Sequence, residues 1–106
     1  MKKDESYYLY LETELLNLRD AIMSLLTRED ILLLERDFKQ IDQFIHVGEY
    51  GLAFEDLCAV IKDANVLIPS RFKQKIFTLS TLMDIEEEKW ANIQYGDADN
   101  LEKESG

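Results

Sequence analysis

An all-α fold, an antiparallel bundle of four to five helices, is the class this 106-residue sequence predicts. Three observations carry it. Apolar residues recur at steps of three and four through most of the chain, the spacing of an amphipathic helix. Period-two alternation, the mark of a half-buried strand, is never sustained, and "NVLIP" at 65–69 is the only strand candidate. The residues that end helices, Gly48, Asn65 and Pro69, fall between the apolar stripes, where helix punctuation belongs.

The first stripe is Tyr8, Leu11, Leu15, Leu18, Ile22 and Leu25, down one face of a helix from about residue 5 to 26. Thr27 comes next as an N-cap, with Glu29 and Asp30 in the first turn after it, where acids suit the helix dipole. The second stripe is Ile31, Leu34, Phe38, Ile41 and Ile45. Gly48 closes it as a C′ residue, because glycine enters the left-handed region without Cβ strain. A third helix starts near Glu49 or Tyr50 and carries Ala53, Leu57, Ile61 and Ala64 on one face, widened by Phe54 and Cys58. Gly51 in its first turn leaves room for a close neighbour, at some cost in helix propensity. Asn65 stops this helix. "VLIPS" is then a short extended connection, since Pro69 turns its predecessor away from helix and Ser70 is placed to cap the next helix. A fourth helix shows Phe72, Ile76, Leu79 and Met83, and Asp84 opens a last short helical piece with Trp90 and Ile93. Leu32 and Leu33 lie off the second stripe, which predicts central helices touching neighbours on more than one side and leaves apolar surface for a homodimer. Residues 1–95 read as one domain and 96–106 as a polar tail that frays.

The chain is long enough for one ordinary core, and 46% apolar with 32% charged residues is a globular composition. Its charge sets the partner class. Twelve Lys and Arg stand against 22 Asp and Glu, a formal net charge of −10. Such a surface repels nucleic-acid phosphates and anionic membranes, and attracts a basic protein. Charge is also uneven: residues 69–83 carry +3, residues 84–106 carry −6, and the first 68 carry −7. The basic helix is expected to pair with its acidic neighbours. No apolar leader or membrane-length run is evident, runs such as Ile31 to Leu34 being far too short to span a bilayer. A single cysteine permits no internal disulfide and fits a reducing cytoplasm.

Catalytic and metal chemistry finds little footing. Cys58 sits on an apolar helix face, where a buried thiol is the plain reading. His46 falls in the last turn of the second helix, where a positive charge suits the carbonyl end better than catalysis. There is no glycine-rich phosphate loop and no paired cysteines at zinc spacing. "DADNLE" fails as a calcium loop, with Leu101 and Glu102 where an oxygen ligand and a glycine belong. A Glu-x-x-His metal pair fails because Gln43 stands three residues before the histidine. The sequence therefore predicts a non-enzymatic protein with no cofactor and no metal.

The stretch "VGEYGLAFEDLC" at 47–58 is a tight helix–turn–helix. It resembles the MafI-type immunity proteins of bacterial polymorphic toxin systems, relatives of the immunity proteins that accompany EndoU-type ribonucleases in contact-dependent growth inhibition. The resembling residues are Gly48-Glu49-Tyr50-Gly51-Leu52-Ala53, then Glu55, then Leu57-Cys58. The rest is similar in outline: two helices before the turn, an Ile/Pro break near 68–69, a helix ending near Leu82-Met83, and Trp90 beyond. The resemblance implies a small cytoplasmic, non-catalytic protein that binds a toxin domain and blocks it. A ribonuclease attracts RNA, so its cleft is basic, and an acidic inhibitor suits it. The other reading is a helical adaptor that docks a basic protein without inhibiting an enzyme. Candidate partner-binding residues are Glu49, Tyr50, Glu55, Asp56, Asp84, Glu86 and Glu87. Of these, Glu55 and Asp56 fall off the apolar stripe and are expected to be exposed. Tyr50 either packs on the fourth helix or stands out as an anchor, and Glu49 serves either the helix N-terminus or the partner. The run Glu86-Glu87-Glu88 also has the plain reading of a solvated face.

Overall fold

In the computed structural model, which describes residues 4–97, the helical spacing becomes six α-helices and one 3₁₀ turn. Four helices are long: α1 Glu5–Leu25, α3 Glu35–His46, α4 Tyr50–Ala64 and α5 Lys73–Leu82. The shorter ones are α2 Arg28–Leu33 and α6 Glu87–Trp90, and the 3₁₀ turn Ser70–Phe72 leads into α5. Among the described residues no helix is long and apolar enough to cross a membrane, and β structure is limited to a single parallel bridge between Ile68 and Tyr95.

N-caps form where short polar side chains meet free amides, at Thr27 as expected and also at Asp4. The Asp4 carboxylate accepts from the Tyr7 N–H at 3.1 Å, and Thr27 Oγ1 from the Asp30 N–H at 3.1 Å. Three helices end in the same way. At the end of α3, Gly48 (φ 82) donates to Ile45 O at 3.2 Å and Glu49 to Phe44 O at 2.8 Å. Asn65 (φ 54) and Val66 repeat this pair of bonds on Lys62 and Ile61, and Asp84 (φ 55) and Ile85 repeat it on Thr81 and Ser80. Each is a Schellman turn, which needs left-handed backbone at one residue. Glycine supplies that without strain; asparagine and aspartate are the side chains that tolerate it best.

Residue pairings fix the helix directions. The Tyr7 hydroxyl donates to Leu82 O at 3.1 Å, and Lys75 pairs with Glu14 further along α1. Position rises along α1 as it falls along α5, so the two are antiparallel. The tight turn after α3 makes α3 and α4 antiparallel neighbours. Tyr8 meets Tyr50, start to start, so α1 and α4 run the same way. Up-down-up-down order results, with one contiguous core. At its centre α4 buries Ala53, Phe54, Leu57, Cys58, Val60 and Ile61, too many for one stripe and consistent with contacts on several sides.

Several sequence expectations shift. The second stripe is two helices rather than one: Leu34 (φ −101, ψ 15) ends α2 and starts α3. Neither glycine nor proline stands there, so the sequence has no punctuation for the break. The buried stripe of α1 begins at Leu11; Tyr8 is 44% exposed and Leu25 also faces solvent. Leu32 and Leu33, expected to reach a second neighbour, are instead 65% and 80% exposed. Ser70 makes no side-chain cap; its N–H donates to Asp97 Oδ1 at 2.9 Å, which holds the Asp97 carboxyl below its usual range. Asp84 closes α5 instead of opening α6, and Ile93 lies beyond α6 but buried. Gly96 donates to Ile68 O at 3.0 Å, so the first two residues of the expected polar tail are tied to the body. Residues 98–106 lie outside the described residues.

The basic helix pairs internally, as its charge suggested. Glu14 holds Lys75, raising the Lys75 pKa. Across α1 and α3, Arg19 bridges Asp20 and Asp42, and Asp42 is the main cause of its raised pKa. Such partly exposed pairs contribute about 0–1 kcal/mol each.

Candidate docking surface

The Schellman turn after α3 delivers Glu49 and Tyr50 to the end of the bundle where α1 begins and α5 finishes. There Tyr8, Glu49, Tyr50, Leu82 and Asp84 line a groove of about 250 Å³. The Tyr8 and Tyr50 rings lie 6.3 Å apart with planes tilted by 32°. Tyr50 is half-buried and packs against the core rim, so it is both packed and presented to the groove. Burial first, then the nearby Glu12 carboxylate and Tyr8, push its phenol above the usual range. Glu49 is exposed at the N-cap position of α4, yet its side chain makes no capping bond. Asp84 reaches the groove because left-handed backbone turns the chain there. No lysine or arginine among the described residues lines the groove. A Cβ at Gly51 would sit 3.6 Å from Ile85 Cδ1, ordinary contact, so the close neighbour anticipated at Gly51 does not require glycine.

Asp84 pays a backbone cost for its place, since left-handed geometry is unfavourable for residues with a Cβ. Asp84→Gly is expected to stabilise the fold by about 1 kcal/mol or less. Thermal melts read this effect; a destabilised Asp84→Gly would show that the turn carries no strain.

The other four candidates divide. Glu86 and Glu87 are exposed at the start of α6. Glu55 is half-buried and faces α6, with its carboxylate 3.8 Å from Lys89 Nζ. Asp56 is half-buried as well, and burial, with Asp37 and Glu55 adding, raises its pKa. The expectation that Glu55 and Asp56 are exposed is therefore corrected: α4 is central, so positions off its stripe still meet neighbouring helices. Glu49, Tyr50 and Asp84 come together in the groove; Glu55 and Glu86 form a second group beside it, and Asp56 stands apart towards α3.

Within the second group Glu88 raises the Glu86 pKa, through a shared hydrogen bond first and like charge second. A carboxyl raised in the folded state contributes stability that is fully present below the unfolded value, about 4.3, and is lost as pH rises through the folded value. Glu88→Gln is expected to bring the Glu86 pKa down, read by carboxyl ¹³C titration; an unmoved Glu86 would show that the pair does not interact in solution.

Tyr8 belongs to the groove, with Glu12 close to Tyr50, although the sequence pattern placed Tyr8 in the core. The missed signal is the Tyr7-Tyr8 pair: both line the groove, and it is Tyr7, not Tyr8, that is half-buried against the core. The nucleophile candidates stay apart in character. Cys58 is sealed in the core, and burial pushes its thiol up to about 12, while His46 is exposed at the end of α3.

An all-α bundle with an acidic, tyrosine-bearing groove at one end is the class of molecule these features define. Comparison of the chain with protein families, curated proteins and solved structures gives no match.

Proposed function

We propose that this chain is an immunity protein, a stoichiometric inhibitor of a cognate bacterial toxin domain of the EndoU or another ribonuclease class, acting in the cytoplasm by binding rather than catalysis. The observation that supports it best is the groove at the start of α4, where carboxylates and tyrosines meet and no described lysine or arginine lines the wall. The same turn holds the Gly48–Cys58 stretch that resembles MafI-type proteins. A ribonuclease cleft is built to attract phosphates. Glu49, Asp84, Glu86 and Glu87 present carboxylates at one end of the bundle, in the place phosphates would take. Tyr8 and Tyr50 add rigid apolar area, the kind of anchor that dominates binding energy at interfaces. Opposite fields raise the encounter rate, which matters against a toxin that destroys RNA catalytically.

The test is co-expression in bacteria with the ribonuclease toxin domain encoded next to this chain. Survival with the protein and death without it is the expected result. Equal killing in both cultures would end the immunity reading.

A further inference from the structure

Three tyrosine rings in series and a surplus of carboxylates meet at the end of the bundle where α4 begins. We propose that the groove there receives an arginine side chain of the partner protein, its guanidinium stacked on the Tyr8 and Tyr50 rings and its fork of donors met by the Glu49 and Asp84 carboxylates. This deepens the docking reading above, on which it rests, by naming the side chain received.

The rings are in place before a partner arrives. The Tyr7 hydroxyl donates to Leu82 O at 3.1 Å, which ties that ring across α1 and α5. Tyr8 meets the Tyr7 ring edge to face at 5.2 Å, and Tyr50 lies 6.3 Å from Tyr8 on the other side of the groove. Tyr50 is half-buried against the core and Tyr8 is exposed. The face of a tyrosine ring is the negative part of its quadrupole and attracts a cation. Rings already held by the fold lose little freedom when one binds.

The charge at this end stays negative when every group is counted. Glu49 and Asp84 line the groove. The Glu12 carboxylate acts on Tyr50, and Asp4 and Glu5 open α1. Against these acids stand Lys2 and Lys3, which precede Asp4 outside the described residues. Glu49 also borders a shallow depression along α3 with Arg36 and Lys39. Neither forms an ion pair with it, and Lys39 is paired with Glu35. With Arg36 set against the acids as well, and His46 neutral, carboxylates remain in surplus. A guanidinium suits this set better than an ammonium. It is planar and stacks on a ring, its donors form a fork that matches carboxylates, and it is more weakly hydrated, so it gives up less on leaving water.

Nuclear magnetic resonance titration of the full chain at about 0.15 M salt tests this with three capped tripeptides, Gly-Arg-Gly, Gly-Lys-Gly and Gly-citrulline-Gly. The arginine peptide is expected to shift the Tyr8 and Tyr50 ring signals saturably, and to bind about two- to fivefold more tightly than the lysine peptide. The citrulline peptide, planar but neutral, is expected to leave those signals in place. Tyr8→Leu keeps apolar bulk and removes a ring, so it is expected to lower the preference for arginine; Tyr8→Phe is expected to keep it. Circular dichroism melts check that both variants remain folded. Equal binding of the arginine and lysine peptides, ring signals that stay still with arginine, or an undiminished preference in Tyr8→Leu would each overturn the proposal. The co-expression test uses no peptide, so the two readings fail separately. Protection from the toxin without an arginine preference would strike the anchor alone; killing alongside such a preference would strike the toxin as partner alone.

Discussion

Phe54→Ala is expected to remove about 3–5 kcal/mol of folding stability, the range for truncating a buried aromatic. Phe54 is fully buried and is the largest side chain among the completely enclosed residues. It lies on α4, the helix that faces the rest of the bundle on several sides, so no single neighbour can swing in to fill the void. Domains of this size are stable by only about 5–15 kcal/mol in total, so the variant should lie close to its unfolding threshold. Urea titration checks this: the midpoint should fall with little change in slope, and the melting temperature should drop by roughly 10 °C or more. A midpoint within error of wild type would mean that α4 is not the centre of the core.

The second large effect concerns association with the proposed toxin. Replacing Glu49, Glu86 and Glu87 by lysine and Asp84 by asparagine makes three reversals and one neutralisation, seven charges in all, and takes the formal net charge from −10 to −3. Asparagine is chosen at position 84 because it tolerates left-handed backbone. Glu49, Glu86 and Glu87 are exposed and Asp84 lies at a turn outside the core, so the fold should persist. With the toxin domain that passes the co-expression test, the association rate at low salt is expected to fall by about one to three orders of magnitude. The gap should close near 1 M salt, where screening acts over about 3 Å. An unchanged rate and salt slope would remove electrostatic steering, leaving the tyrosines to account for binding.

Much of this fold was legible because helices advertise themselves through spacing and caps. The α1 stripe from Leu11 to Ile22, the Thr27 cap, the Gly48 turn and the Asn65 stop all rest on local chemistry that the chain displays. The break at Leu34 was not legible, because it occurs in a run of leucines with no residue that disfavours helix. Nor was the exposure of Leu32 and Leu33: periodicity says which residues share a face, not whether another helix arrives to cover it. The groove was half legible. Glu49 and Tyr50 followed from the turn, and Asp84 from charge density. That these three meet depends on α5 ending beside the start of α4, a tertiary fact. Glu55 and Asp56 misled because an off-stripe position implies solvent only on a peripheral helix.

The bridge between Ile68 and Tyr95 bears on how the protein is made. Ile68 lies in the connection between α4 and α5, and its amide and carbonyl are both taken by the 94–96 segment, Gln94 O accepting and the Gly96 N–H donating. Translation adds about 5–20 residues per second, and a domain folds as a unit. Until residues 94–96 have been made, that connection has no partner for either group. During this interval Ile68, fully buried in the finished protein, is open to water. The C-terminal segment acts as a clasp fastened last, and cutting the nascent chain before Gln94 should leave a helical body whose α4–α5 link is open to proteases.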